Sequence, residues 1–472
     1  MSHYCSSPIF MPHRICFVHS IVSRTCYRSM HFLMRALLLL SLSGLAQAIN
    51  LLDAYHLATT HDKTFSAARF TFYAAAEKVP QARAALLPII HANANSNRSQ
   101  GQYTFENMPT SHRENNAWSW NLQLTQPLIR AQNWQTFAQA QTTLAQAQAQ
   151  FSAAEQELML RVAQAYFEYD IAQETLQAAH ANVATLQQQF EFAQRGLEKG
   201  THAITDVHEA NSRYALARAQ VFSALSEQQN RLVDLEKIIG PLPTTTAIAS
   251  IKENVVIPPP QPDAIEAWSS MAQIHAPIVQ AQQAHLASVK HELTKNKFAH
   301  LPTLDLTASY GHNRSSGNET LPTNYTNQAR TSQVGIQLNI PLYAGGATQA
   351  KVRETQFEFY KARDELENTQ LQARVNAQKA FAGVTNGLSQ IDALNLSVTS
   401  AMSALKGNQM AYRVGTRSNI EVLNATQQLY VAQRDLIKAR YETLLHSLKL
   451  KAAVGQLKQE DILAINQWFE YK

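Results

Sequence analysis

Cysteine is nearly missing from this sequence: three in 472 residues, Cys5, Cys16 and Cys26, all close to the start. Beyond them the chain has no disulfide, no thiol nucleophile and no cysteine-based metal site. Glycine is scarce, at 15 residues, and charged residues make up only 16%. Such a composition argues against a loop-rich enzyme. No phosphate-binding glycine loop, nucleophile elbow or cysteine pair occurs. His208-Glu209 and His291-Glu292 lack the second histidine that a zinc-protease helix needs. The 17 histidines are scattered, so neither a metal nor a cofactor is expected, and no enzyme activity is read.

Acidic residues are absent from the first 48 positions. Within them "MRALLLLSLSGLAQA" (Met34 to Ala48) joins Arg35 to a short apolar run and an Ala46-Gln47-Ala48 cleavage pattern. This reads as a secretory signal, too short for a membrane-spanning helix. Residues 1–48 are therefore taken as an N-terminal extension plus signal peptide, with Met30 and Met34 as alternative starts to Met1. Excision removes four arginines, so 36 of the 40 basic residues remain against 35 acidic ones. The basic pI belongs mostly to the leader, and nucleic acid loses its electrostatic support as a partner.

What is abundant is Ala and Gln, as in "AQAQTTLAQAQAQFSAAEQ" (Ala138 to Gln156), which favours long helices. The chain also repeats itself. Pro88 and Pro302 are 214 residues apart, as are Pro127 and Pro341; Gly200 and Gly415 are 215 apart, as are Gly240 and Gly455. Two copies of one unit, 49–255 and 256–472, meet near "VVIPPPQPDA" (Val255 to Ala264), whose prolines forbid helix.

Each copy holds two strand-like pieces, at 86–96 and 117–128, then at 301–311 and 332–343. Trp118, Trp120, Leu122 and Leu124 alternate with polar residues, as do Val334, Ile336, Leu338 and Ile340. Period two over about ten residues fits either a half-buried soluble sheet or a membrane barrel. Four strands cannot close a barrel, since single-chain barrels need at least eight; three chains would supply twelve. Ser96 to Asn116 and Asn313 to Arg330 read as exposed loops. Helical spacing then runs from Ala131 to about Arg195 and from Ala347 to about Met410, rods of roughly 100 Å. Shorter helices, 203–239 and 418–454, return from each. Between rod and return stand Gly200-Thr201 and Gly415-Thr416, polar elbows at the tips of αα-hairpins. The glycines suit a left-handed helix end, and Thr201, Thr416 and Ser418 suit N-caps.

"YRVGTRSNIEVLNATQQLYVAQRDLIKARYETLLHSLKLKAAVGQLKQEDILAIN" (Tyr412 to Asn466) resembles the TolC family of outer-membrane channels, as do "GTHAITDV" (Gly200 to Val207) and "HLPTLDLTAS" (His300 to Ser309). The resemblance implies a mixed, mainly α fold. A homotrimer would form a twelve-stranded outer-membrane β-barrel, four strands per chain, continued by a long periplasmic α-helical barrel. An equatorial belt would come from the inter-repeat and C-terminal segments. The implied function is the passive exit duct of a tripartite efflux pump or type I secretion system. Its partners would be a periplasmic adaptor, an inner-membrane transporter and outer-membrane lipid. The family's iris implies gate links from Thr205 and Asp206 to Tyr412 and Arg417, and a pore ring at Glu421. Asn424 stands where the family has a second acid. The tips Gly200, Thr201, Gly415 and Thr416 would dock the adaptor. Plainer roles stand beside these: Glu421 lies three residues after Ser418 and fits a capping box, Asp206 fits a helix N-terminus, and Tyr412 fits a packing aromatic. A periplasmic coiled-coil adaptor or scaffold without a membrane barrel is the alternative function.

Overall fold

The structure, a computed structural model, describes residues 49–243, 248–252, 255–318 and 325–470. The expected signal segment, its cysteines and the alternative starts lie outside the described residues. Residues 49–242 and 248–472 form one compact unit.

Three short helices, α1 (Leu51–His61), α2 (Lys63–Ala76) and α3 (Lys78–Ala84), lead into the hairpin β1 (Ile89–Tyr103) and β2 (Ser111–Ile129). The chain continues as α4 (Ala131–Glu198), of 68 residues, and returns as α5 (Ile204–Ile239). A two-residue strand β3 (Ser250–Ile251) precedes α6 (Ile265–His275), α7 (Pro277–Lys297) and a second hairpin, β4 (Thr303–Gly317) with β5 (Tyr325–Asn339). Then come α8 (Ala347–Arg413), of 67 residues, α9 (Asn419–Ala453), α10 (Gln459–Asn466) and β6 (Phe469–Glu470). At 1.5 Å per residue α4 and α8 are each roughly 100 Å long. No described helix is long and apolar enough to cross a membrane.

The four long strands form one antiparallel sheet in the order β1-β2-β4-β5, so β1 and β5 carry unpaired edges. The register stacks the alternation of all four strands: Ile90 opposes Leu124, Leu124 opposes Ala308, and Ala308 opposes Val334. Opposed residues share a face, so one face is apolar and the other presents Asn93, Asn121, Gly311 and Thr331. The apolar face is bare in the single chain, with Ile90 67% and Val334 76% exposed.

The strands outrun their expected bounds. Ser96 to Asn116, read as a loop, is mostly ladder, with Tyr103 paired to Ser111 and only residues 104–110 left to turn. On the other side β4 runs to Gly317 and β5 starts at Tyr325. Past Ser96 both faces are polar, so pairing continues without a period-two signal. β5 ends at Asn339 instead of 343, because Pro341 cannot donate to the ladder. α8 runs through Gly383 and Gly387 as unbroken helix. They admit α9: a Cβ on Gly383 would lie 2.5 Å from His446 Nδ1, and one on Gly387 would lie 2.3 Å from Thr443 Oγ1.

Midway along the rods the chain gathers its largest core. Leu158, Val162, Tyr166 and Phe167 of α4 pack with Leu51, Leu235, Leu444 and Leu448. β3 pairs with β6, and Ile49 bridges to Ile248, so the inter-repeat and C-terminal segments lie together against this core. Asp170 is fully buried within it. Its carboxylate accepts hydrogen bonds from Ser250 Oγ (2.6 Å) and from the Tyr441 hydroxyl.

Candidate functional site: the two helix elbows

Both rods end the same way. Gly200 and Gly415 take left-handed φ values of 71° and 78°. The N–H of Thr201 donates to the Gly196 carbonyl (2.8 Å) and that of Gly200 to Leu197 (2.9 Å). Thr416 donates to Ala411 and Gly415 to Tyr412, each at 3.0 Å. This double bond pattern satisfies carbonyls that a helix end leaves open. The threonine hydroxyls do not cap the returning helices as expected. Each turns back to the outgoing rod, Thr201 Oγ1 to Gly196 O and Thr416 Oγ1 to Ala411 O, both at 3.0 Å. The N-cap positions fall to Ala203 and Ser418, two residues later. There Asp206 accepts from the Ala203 N–H (3.3 Å) and Glu421 from the Ser418 N–H (2.9 Å). The capping roles of both acids are thus present.

The two elbows touch. Asn419, nearly fully buried, donates through Nδ2 to the Asp206 carbonyl (3.3 Å). Arg213 Nη2 donates to Asn424 Oδ1 (3.2 Å), tying α5 to α9. Just behind, Leu186 of α4, Ala217 of α5 and Leu423 of α9 form a small apolar cluster.

Tyr412 lies among Phe192 and His202, with ring centroids 5.6 Å and 5.5 Å away. Its hydroxyl is buried without a hydrogen-bond partner among the described residues. Burial first, and the nearby Asp206 charge second, push this phenol up to about 12. Arg417 Nη1 donates to Glu421 Oε1 at 2.5 Å. The Glu421 carboxyl is held below its ordinary range, mainly by the Ser418 N–H and then by Arg417. Thr205 is exposed in the first turn of α5.

Within one chain, then, Asp206 stands near Tyr412 without bonding it, and Arg417 serves Glu421. Three residues of the site were not read from the sequence. Asn419 joins the elbows, Arg213 holds Asn424, and His202 fills a space that only Gly196 leaves, since a Cβ there would lie 1.5 Å from His202 Nδ1. The one available signal was Gly196, four residues before Gly200 in a glycine-poor helix. Among the described residues no cluster of three or more His, Cys, Asp or Glu could hold a metal.

The sequence model of the family described as "Outer membrane efflux protein" matches this chain over residues 54–241 and again over 268–456. The chain is 31% identical to "Proteases secretion protein PrtF" of Dickeya chrysanthemi, over 91% of its own length and 94% of that protein. It is 30% identical to "Alkaline protease secretion protein AprF" of Pseudomonas aeruginosa, over 93% and 91%. It is also 30% identical to "Outer membrane protein TolC" of Escherichia coli, over 90% and 87%. Among solved structures, the Campylobacter jejuni CmeC outer membrane channel superposes with a TM-score of 0.74 at 17% identity, covering 89% of each chain. VceC of Vibrio cholerae gives 0.71 at 19%, covering 86% of this chain and 96% of that one.

Proposed function

The chain belongs to the outer membrane efflux protein family, and from that premise we propose how its single-chain geometry makes a gated duct. The protein is an outer-membrane efflux and secretion channel of a Gram-negative bacterium, reaching into the periplasm. The reading as a barrel-less adaptor is set aside.

Three copies join edge to edge, β5 of one chain against β1 of the next, to close twelve strands. The observation that carries this is the four-stranded sheet with two unpaired edges and one apolar face. Exposed edges of that length and hydrophobicity invite pairing, and closure is what a lipid environment demands. The equivalence of 49–255 and 256–472 is supported by the paired family matches. The helices α4, α5, α8 and α9 of three chains wall a twelve-helix tube, and the elbows lie at its far end, where an inner-membrane transporter and its periplasmic adaptor meet it. Gly200, Thr201, Gly415 and Thr416 form the docking tips.

The tips also gate the tube. The Tyr412 hydroxyl, near Asp206 and without a partner among the described residues, is one half of a latch, and its counterparts on the neighbouring chain are exposed Thr205 and the remaining donors of Arg417. Three copies of Glu421 ring the passage, and Asn424 leaves that ring a single acid deep. The cargo is protein, through a type I secretion system, on the strength of the relatives named for protease secretion. Small-molecule efflux is the second reading, on the family's own description.

The test is electrical and cellular. The purified protein should run as three chains in detergent, and Tyr412→Phe with Arg417→Ser should raise single-channel conductance in planar bilayers. An exposed link such as that of Arg417 contributes only about 0.2–1 kcal/mol, so Arg417→Ser alone should open the tip only partly. A deletion strain that loses protein export with unchanged drug tolerance supports protein cargo; the reverse supports efflux. A one-chain mass in detergent refutes the duct.

A further inference from the structure

The exposed charges of the sheet are sorted by face. Arg314 and Arg330 project from the same face as the apolar rows, with His312 beside them. At that height the opposite face carries Asn313, Ser315, Ala329 and Thr331, none charged. Cations meant to steer cargo would line the polar, channel-side face; these sit on the other. Arg113 does lie on the polar face, but beyond them towards the hairpin tip, over the Tyr103 ring at 5.4 Å.

The register also gives their height. Counting from Leu338, at the base of the apolar face, Arg330 is eight residues along β5. At about 3.3 Å per residue and a tilt near 40°, that is roughly 20 Å above the base, and the Arg314 row is roughly 25 Å above it. An outer-membrane barrel's lipid-facing band is about 25 Å tall. The arginines therefore stand at its upper edge, on the side away from the helices. The same rows hold Trp118, edge-on to His312 at 5.3 Å, and one row lower Tyr310 lies edge-on to Trp120 at 5.6 Å. That is the aromatic girdle of an interface. One row higher, Arg98 is engaged by Glu114 at 3.6 Å. Arg314 and Arg330 make no ion pair with any described residue.

We propose that Arg314 and Arg330, level with Trp118 and Trp120 in the same rows of the sheet, form a docking surface for the phosphorylated sugar head of an outer-leaflet glycolipid. This rests on the barrel reading of the sheet. Guanidinium groups match phosphate oxygens two donors at a time, and the apolar rows below receive the acyl chains. An anionic lipid head satisfies both cations where water is scarce; a zwitterionic head offers no net charge to do so.

The experiment uses the purified full-length oligomer in detergent, titrated with bisphosphorylated lipid A and with the same lipid dephosphorylated. Tryptophan fluorescence of a variant in which Trp134, Trp268 and Trp468 are replaced by Phe, leaving Trp118 and Trp120, reads binding. The phosphorylated lipid should bind at least about tenfold tighter. R314Q/R330Q should erase that preference while still migrating as a heat-modifiable oligomer, and R314K/R330K should retain part of it. Equal affinity of the wild type for both lipids, or an intact preference in R314Q/R330Q, overturns the proposal. A wild-type protein that needs no detergent and shows no heat-modifiable oligomer overturns the barrel and this surface together.

Discussion

Replacing Asp170 by asparagine should remove most of the pH dependence of stability at the middle of the rods. Asp170 has no solvent contact, and burial is the main reason its carboxyl is pushed up to about 7 from an ordinary 3.8, with Glu174 adding to it. Hydrogen bonds from Ser250 and Tyr441 act in the opposite sense but do not prevail. Between those two values the folded chain keeps a proton that the unfolded chain has released, so stability falls as pH rises from about 4 to 7. At 1.36 kcal/mol per unit, moving from pH 5 to 8 costs the folded chain about 2.5 kcal/mol. With an unfolding entropy of about 2.1 cal/mol/K per residue over some 420 residues, the loss is about 3 °C in melting temperature. Asparagine keeps the shape, accepts from Tyr441, donates to Ser250 and cannot ionise. Helical circular dichroism followed against temperature at pH 5, 6, 7 and 8 should show a falling wild-type series and a flatter D170N series. D170N should melt above wild type at pH 8. An unchanged slope in D170N would show that another group sets the dependence.

Three further outcomes are expected. Gly387→Ala drives a Cβ against the buried Thr443 Oγ1, so it should destabilise α8–α9 packing by about 1–3 kcal/mol; adding Thr443→Ala should recover part of that in the same melts. Gly415→Ala meets open space and pays only for its backbone at φ 78°, about 1–2 kcal/mol, with Gly415→Asn milder; faster proteolysis at the tip reads the effect. Glu421→Gln should abolish block of the channel by divalent cations, and Asn424→Asp should strengthen it, since positions three apart share a helix face. Because the Glu421 carboxyl is held low, block in the wild type should persist down to the acid side of the usual carboxylate range and then fade; block that survives Glu421→Gln marks this residue as a cap alone.

Much of the architecture was legible because long elements announce themselves by period. Helical spacing from Ala131 to about Arg195 marked the first rod, and alternation through Trp118 to Leu124 marked a strand. Their outer halves were hidden because Ser99, Gln100 and Gln102 are polar on both faces, leaving ladder hydrogen bonds without a pattern. β3 and β6, two residues each, exist only because distant segments meet. At the site, the glycines declared their left-handed turns. The threonines misled, since a hydroxyl next to a helix end can serve either the helix just finished or the one about to begin. Asp170, inside "YFEYDIAQ", looks like any surface carboxylate on a helix. Its burial depends on Ser250 and Tyr441, 80 and 271 positions away.

The placement of Phe469 carries a consequence for time. Its ring lies 9° from parallel with Phe167, centroids 6.1 Å apart, and edge-on to Tyr166 at 5.5 Å. Those partners are made some 300 residues earlier, and β3 finds its only described partner in the same terminal strand. At about 5–20 residues per second of synthesis, Tyr166 and Phe167 wait on the order of 15–60 s for the ring that covers them. Through that interval the first rod exposes a greasy midsection, whereas the β2 edge of the first hairpin waits only until β4 is made. The core of the first rod is thus sealed by side chains made some 300 positions later, and it cannot close in the order in which it is synthesised.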